Sequence, residues 1–569
     1  MSHGAYGSFV LMLHSHLPYY RKAGKWPFGE ENLFECMIET YIPLLNALNE
    51  LVDEGYLPKI TVGITPVLAE QLADTYLHEQ FLEYVAVRLQ ASHDDVARFS
   101  ESTLTDAKQR LNLAEYYVKL FRQVRDDFEH RYGRDLIAAF RSLQDRGAIE
   151  ITTSGATHGF TPLLGRDESI YGQFKVGVEN YKRHFGRAPR GCWLPECAYR
   201  PAKTIDADGA TQERPAVDAF LAENELQYFF TEYTAVEAAD TGTQTRWGIY
   251  QNLTHQPVHL AQNTLPEGYS TYQPYWLPTS PVAVMARNHR AGFQVWSADY
   301  GYPGDGLYRE FHKKDEESGL HYWRLTDKDT GIGNKALYNP EWAFHQAEEH
   351  AHHFVDLCHG LLRDFHRKYR RHGLLMVSFD TELYGHWWFE GVHWLKTVLK
   401  GLHQHPHIAV QTAGEYLAEH PPQQVIDLPE SSWGQGGHYY VWENEQTQWM
   451  WPDIHRAENT MADCRSQFGD NDDPFIQDVL KQMFRELLLL QSSDWPFLVT
   501  TGQAKDYAVQ RFQGHLTAFR YLAQMLEDGR KDVTLLQQLH DRDPIFDEID
   551  PQWYSRPQLP TLPEVAAAV

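Results

Sequence analysis

Up to residue 402 the chain repeats one order: a short apolar run, a loop, then a longer stretch with helical periodicity. Segments 9–13, 59–64, 148–153, 189–194, 227–231, 293–297 and 374–379 read as short buried strands. Segments 34–52, 66–90, 104–129, 134–146, 168–184, 215–224, 341–368 and 393–402 read as helical. Strands that are apolar on both faces need cover on both sides, and strands joined through helices run parallel. The expected fold is α/β, a mostly parallel sheet that is either closed into a barrel or left open. Between 240 and 285 the text turns polar and turn-rich, which reads as a long functional loop or a small inserted subdomain. Beyond 403 the pattern is helical, at 411–419, 453–464, 473–492, 501–528 and 532–540. The expected units are 1–402 for the α/β part with its insertions, 403–540 for a helical domain, and 541–569 for a loose Pro- and Asp-bearing extension.

A net charge of −26, from 51 basic and 77 acidic residues, disfavours nucleic acid and anionic membrane as partners, because both recruit positive charge. The cysteines Cys36, Cys192, Cys197, Cys358 and Cys464 are scattered, odd in number and without a Cys-x-x-Cys pair, as in a reducing compartment. The start MSHGAYGSFVLMLHSH lacks the basic and continuous apolar segments of a secretion signal, and no stretch approaches the length of a membrane span. A cytoplasmic chain is expected. With no Gly-x-Gly-x-x-Gly and no phosphate-binding loop, nothing supports a nucleotide cofactor. The unusual component is aromatic: 16 Trp, 32 Tyr and 28 Phe, clustered with polar residues in HWWFEGVHW (386–394) and YYVWENEQTQWMW (439–451). Sugar rings suit such surfaces, having apolar faces and hydroxylated edges, although a large aromatic core accounts for any single ring.

Three stretches place chemistry at the ends of apolar runs. In VLMLHSHLPYY (10–20), His14 and His16 stand on one side of a strand that Pro18 ends. They read as structural histidines, a polar ligand site or a metal site. In GCWLPECAYR (191–200), Glu196 follows Pro195 at the close of an apolar run, and in LLMVSFDTELYGHWWFEG (374–391), Asp380 does the same, followed by Glu382, His386, Trp387 and Trp388. Parallel barrels present their reactive groups at this end of the strands. Two carboxylates from different strands are the minimum equipment for breaking a glycosidic bond, one attacking the anomeric carbon and one protonating the leaving oxygen.

Taken in order, these motifs resemble glycoside hydrolase family 57 and, within it, the branching enzymes. The resemblance runs through His14-Ser-His-Leu-Pro18, Gly63-Ile-Thr-Pro66 to Glu70, Trp193-Leu-Pro-Glu196-Cys-Ala-Tyr199, Asp380 to Trp388, and Ser431-Ser-Trp-Gly434 with Gly436, Gly437 and Trp442. It extends through ATHGF (156–160), WSADYGYPGD (296–305) and SSDWPF (492–497), covering roughly residues 8–525. The resemblance implies an incomplete (β/α)7 barrel with an inserted small subdomain and a helical C-terminal domain. It implies Glu196 as nucleophile and Asp380 as general acid/base of a retaining mechanism, with His14, His16, His158 and His386 lining the donor-sugar site. No metal or other cofactor is implied. The expected partner is an α-1,4-glucan (amylose, amylopectin or glycogen), and the expected assembly is a monomer.

Branching differs from hydrolysis in its acceptor, so stacking surfaces and a loop that keeps water out are expected beyond the carboxylates. Trp26, Trp276, Trp433 and Trp442 are the candidate walls, with Asp494 and Trp495 as a polar contact and platform from the helical region. Tyr250, in the 240–275 stretch, is the candidate loop tyrosine. An α-amylase or 4-α-glucanotransferase is the alternative if water is not excluded. A metal-dependent deacetylase using His14, His16 and Asp380 as ligands, and a non-catalytic glucan-binding protein, are the competing readings from other classes.

Overall fold

The computed structural model describes residues 4–25, 27–207, 210–241, 268–297 and 300–557. Trp26 and Tyr250 lie outside the described residues. In chain order the strands are β1 (Gly7–Ser15), β2 (Ile60–Ile64), β3 (Ile149–Ser154), β4 (Gly191–Trp193), β5 (Lys203–Ala207), β6 (Ala210–Arg214), β7 (Tyr228–Thr231), β8 (Tyr275–Trp276), β9 (Ala283–Ala286), β10 (Gly373–Asp380) and β11 (Ile408–Val410). Seven of them pair side by side in parallel in the order β10-β1-β2-β3-β4-β7-β9. β8 adds antiparallel to β9, and β11 joins the start of β1. The outer strands β9 and β10 draw together, since Asn288 N, just past β9, donates to Met376 O of β10 at 2.7 Å. The sheet is therefore a curled, incomplete (β/α)7 barrel with helices around it.

Period-2 alternation decides which residues face inward. Phe9, Leu11 and Leu13 of β1 pack outward with the helices, while Val10 and Met12 join Trp193, Tyr228, Phe230, Ala283, Met285, Leu374 and Met376 inside the curl. Continuing the same parity puts His14 and Asp380 on the inner face, at the C-terminal rim. Gly63 on β2 permits this packing, because a Cβ there would come within 2.5 Å of the Met12 methyl.

Six of the seven expected strands form near the expected positions. The exception is 293–297, which is the end of the helix His289–Trp296, with β9 supplying the strand instead. A run as short as FQVWS fits either state, and its Phe293 and Trp296 lie on the helix's exposed side. Between β2 and β3 the helices Thr75–Ser100 and Ala107–Asp126 pack on each other as an excursion from the barrel. Within the polar stretch 202–214, β5 and β6 pair antiparallel, tied back by Arg214 Nε to Asp167 Oδ1 at 3.1 Å. Helices from Met450–Phe468 to Val533–Arg542 build the C-terminal layer. The expected looseness of 541–569 does not hold where it is described: Ile545, Phe546, Ile549 and Tyr554 are buried in the core, and Arg485 Nε donates to Ile545 O at 2.7 Å. Scattered apolar residues separated by Pro and Asp anchor this segment without any periodicity to announce them.

Candidate active site

Glu196 is the central residue of a one-turn helix, Pro195–Cys197, just after β4. Its backbone is left-handed, φ 61°, and so is that of His158, φ 58°. A positive φ is uncommon for any residue but glycine, and such strain persists only where the surroundings impose it. The Glu196 side chain is buried, and both its oxygens are held: Ser493 Oγ donates to Oε1 and Trp433 Nε1 to Oε2, each at 2.7 Å. Trp433 is further locked by its backbone N–H donating to Glu196 O at 3.0 Å.

The histidines assemble on the same carboxylate. His158 Nδ1 lies 2.9 Å from Ser493 Oγ and 3.6 Å from Glu196 Oε1, and its Nε2 is 3.1 Å from His14 Nε2. His14 stacks on Trp193 with ring centroids 4.7 Å apart, and His16 stacks on His158 at 3.9 Å. His16 Nε2 meets Asp494 Oδ1 at 3.1 Å, and its Nδ1 meets Thr65 Oγ1 at 3.1 Å. Burial, reinforced by neighbouring imidazoles, pushes His14 and His158 well below the usual histidine range. Burial acts on His16 too, but the Asp494 carboxylate, with Glu196 and Glu382 behind it, outweighs that and raises it. The cluster thus holds two neutral imidazoles beside one that favours its charged form.

Asp380 ends β10 in register with His14 on β1. Burial and then the carboxylates of Glu382 and Glu196 lift it well above the usual aspartate range, while Arg287 draws it back. Arg287 continues the inner face of β9 and pairs with Glu232, which continues that of β7. Glu196 is also raised by burial, but its two hydrogen bonds oppose the shift. Between two buried carboxylates that feel each other, the one with bound donors keeps the negative charge and the other keeps the proton. The donors on Glu196 favour its ionised form, whereas burial and the neighbouring acids favour the protonated form of Asp380.

The other expected site residues separate into two groups. Asp494 reaches the cluster through His16 and also accepts from Ser492 Oγ at 2.6 Å. Trp276 is half-buried and packs, like Trp433, on the barrel's inner cluster. His386 sits in the loop opened by Asp380, its Nδ1 3.2 Å from Glu39 Oε2. Glu39 is brought to about 2 because Arg309 and His386 overcome the effect of burial. Trp442 and Trp495 correct the expectation. Trp442 is 1% exposed and stacked on Phe160, and Trp495 is 0% exposed with Nε1 donating to Leu489 O at 2.8 Å. Neither offers a face to a sugar. Ser493, Arg287 and Glu232 were not anticipated. Ser493 lies beside Asp494, but nothing local distinguishes it from Ser492.

Among the described residues His14, His16 and Asp380 do not converge as metal ligands. The group that does is buried in the helical region, Glu486, His515 and Asp543, where Arg542 already pairs with both carboxylates.

The matches to known proteins agree with this geometry. The model of glycosyl hydrolase family 57 matches residues 10–429, and that of the 1,4-alpha-glucan branching enzyme C-terminal region matches 453–554. The chain belongs to glycosyl hydrolase family 57. Within that family it groups with the branching enzymes. It is 44% identical over 546 residues to a 1,4-alpha-glucan branching enzyme of Thermococcus kodakarensis, covering 95% of this chain and 77% of that one. The crystal structure of that enzyme in complex with glucose superposes with a TM-score of 0.87 at 42% identity, covering 98% and 100% of the two chains. A branching enzyme from Pyrococcus horikoshii gives 0.85 at 39% identity, covering 98% of each chain. An alpha-amylase from Thermotoga maritima gives 0.81 at 30%, covering 97% and 99%.

Proposed function

We propose that this enzyme is a retaining 1,4-α-glucan branching enzyme that cuts an α-1,4-linked chain and rejoins the released segment to a 6-hydroxyl. The observation that carries the reading is the unequal treatment of two rim carboxylates: Glu196 receives two hydrogen-bond donors, while Asp380 faces two other acids. Glu196 attacks the anomeric carbon as the glucosidic C–O bond breaks, and Asp380 gives its proton to the departing 4-oxygen. The glucosyl ester on Glu196 is then attacked by the 6-hydroxyl of an acceptor glucan. Asp380 takes that hydroxyl's proton and so returns to its starting state. His14, His16, His158 and His386 hold donor-sugar hydroxyls, and Trp433 and Trp276 wall the acceptor side. The barrel over 1–402 is the catalytic unit, backed by the helical domain over 403–540. The substrate is a neutral glucan such as amylose, amylopectin or glycogen, handled by a monomer in the cytoplasm. The net charge and the lack of a long apolar helix among the described residues support this reading.

Proton NMR of amylose treated with purified enzyme, with chain-length analysis after debranching, tests the reading. Growth of the α-1,6 anomeric signal with few new reducing ends is expected. New reducing ends without that signal would mean an amylase, and redistributed linear chains with neither change a 4-α-glucanotransferase.

A further inference from the structure

The helix His289–Trp296, entered directly from Arg287 at the catalytic rim, is inverted in character on one side. Ala291, Gly292 and Val295 face the core, while Phe293 and Trp296, three residues apart and so on one face, stand 42% and 46% exposed. Their neighbours are also exposed aromatics. Trp387, 44% exposed, lies 6.5 Å from Trp296 between ring centroids, and Tyr300, 75% exposed, lies 6.5 Å from Phe293. The row continues through His289, stacked 5.5 Å from Phe293 and 4.2 Å from the Tyr233 ring. At its other end Trp387 adjoins His386, and its backbone N–H donates to Glu382 O at 3.1 Å, inside the loop that begins at Asp380.

Exposed aromatics gathered into one strip lose free energy to water unless a ligand covers them. We propose that Trp387, Trp296, Phe293 and Tyr300 form a surface rail that binds a linear α-1,4-glucan chain running outward from the catalytic rim. The proposal rests on the glucan reading given above. The occupant follows from continuity: one end of the strip is the Asp380 loop, so a chain engaged at the carboxylates passes over it. The separated, tilted rings fit successive pyranose faces better than one flat ligand, and a neutral polymer meets no repulsion from a chain of net charge −26. A long donor or acceptor would thereby be held at points remote from the bond being broken, keeping the cut segment near the enzyme while the acceptor arrives.

The test is native affinity electrophoresis through gels containing amylose, using the full chain in a Glu196→Gln background so that the polymer is not consumed. The Trp296→Ala, Trp387→Ala double variant is expected to bind amylose about tenfold more weakly, and Trp296→Phe with Trp387→Phe to recover most of the retention. Tyr521→Ala, removing an exposed ring on the helix Lys505–Glu527, is expected to migrate like its parent. A parent that turns over amylose with Glu196 intact but whose double alanine variant is retarded undiminished overturns the rail alone. So does an active enzyme whose Glu196→Gln form is not retarded at all. An enzyme that neither converts nor binds amylose overturns the glucan reading, and the rail with it.

Discussion

Ser493, at the N-terminus of a helix in the C-terminal layer, donates its hydroxyl to Glu196 Oε1 of the barrel at 2.7 Å, across 297 residues of sequence. The same hydroxyl oxygen lies 2.9 Å from His158 Nδ1. The helical region thus reaches the carboxylate assigned as nucleophile directly.

Removing that donor takes away a bond that favours the ionised carboxylate. In Ser493→Ala, Glu196 moves further upward, and the acidic limb of the kcat/KM profile shifts to higher pH. At pH 6 a loss of about tenfold is expected, shrinking as pH rises. A uniform loss at every pH would show that Ser493 only supports the local packing.

Glu196→Gln and Asp380→Asn are each expected to lower transfer from amylose by about a thousandfold or more while leaving the thermal transition in place. Asp380→Asn retains slow glycosylation from a donor with an activated leaving group, which needs no acid. Mass spectrometry should then catch a sugar ester on Glu196; near-parental turnover in Glu196→Gln would remove that residue from its role.

Trp442 and Trp433 predict opposite phenotypes. Trp442→Ala empties a buried stack against Phe160 and is expected to cost about 3–5 kcal/mol of stability. Trp433→Phe keeps a ring but loses the N–H bound to Glu196 Oε2, so activity falls with little change in Tm. Denaturant titrations beside branching assays separate the two, and the reverse pattern would place Trp442 on the substrate path.

Glu458, buried in the helical layer, accepts from Gly165 N at 2.8 Å and Gln491 Nε2 at 3.0 Å, yet burial raises it to about 8. Its folded form holds a proton that the unfolded chain releases near the ordinary glutamate range. Stability from this group is therefore full below about pH 4.5 and is lost as pH rises to about 8. Glu458→Gln should flatten that decline, gaining on the order of 5 kcal/mol over the parent above pH 8. Thermal unfolding at pH 5 and pH 8.5 measures it, and parallel pH dependences would refute it.

Dialysis against a chelator should leave branching unchanged, because His14 is engaged with His158 and His16 with Thr65 and Asp494, and among the described residues neither converges with Asp380 as a ligand group. Activity lost to chelation and regained with zinc would require a different mechanism.

Much of the scaffold is written locally. An apolar run such as 374–379 needs burial on both faces, its period of two sends Asp380 inward once Leu374 and Met376 are inside, and the helical stretches between runs force parallel pairing. The strand-end carboxylates were legible for that reason, since their place follows from the apolar runs before them, while their separate roles rest on the family resemblance. The sequence by itself therefore determined the alternating α/β frame and the positions of Glu196 and Asp380 at strand ends. Only the tertiary structure decided what meets them. Aromatic character states a preference for contact without naming the contact, so Trp433 lies against Glu196 while Trp442, nine residues on, is sealed under Phe160. Phe293 and Trp296 occupy an exposed helix where a buried strand was expected, because a five-residue apolar run carries too little periodicity to choose its state. Ser493 and Arg287 acquire their roles from groups brought near by the packing of layers and the curl of the sheet, and local sequence holds no record of neighbours that distant.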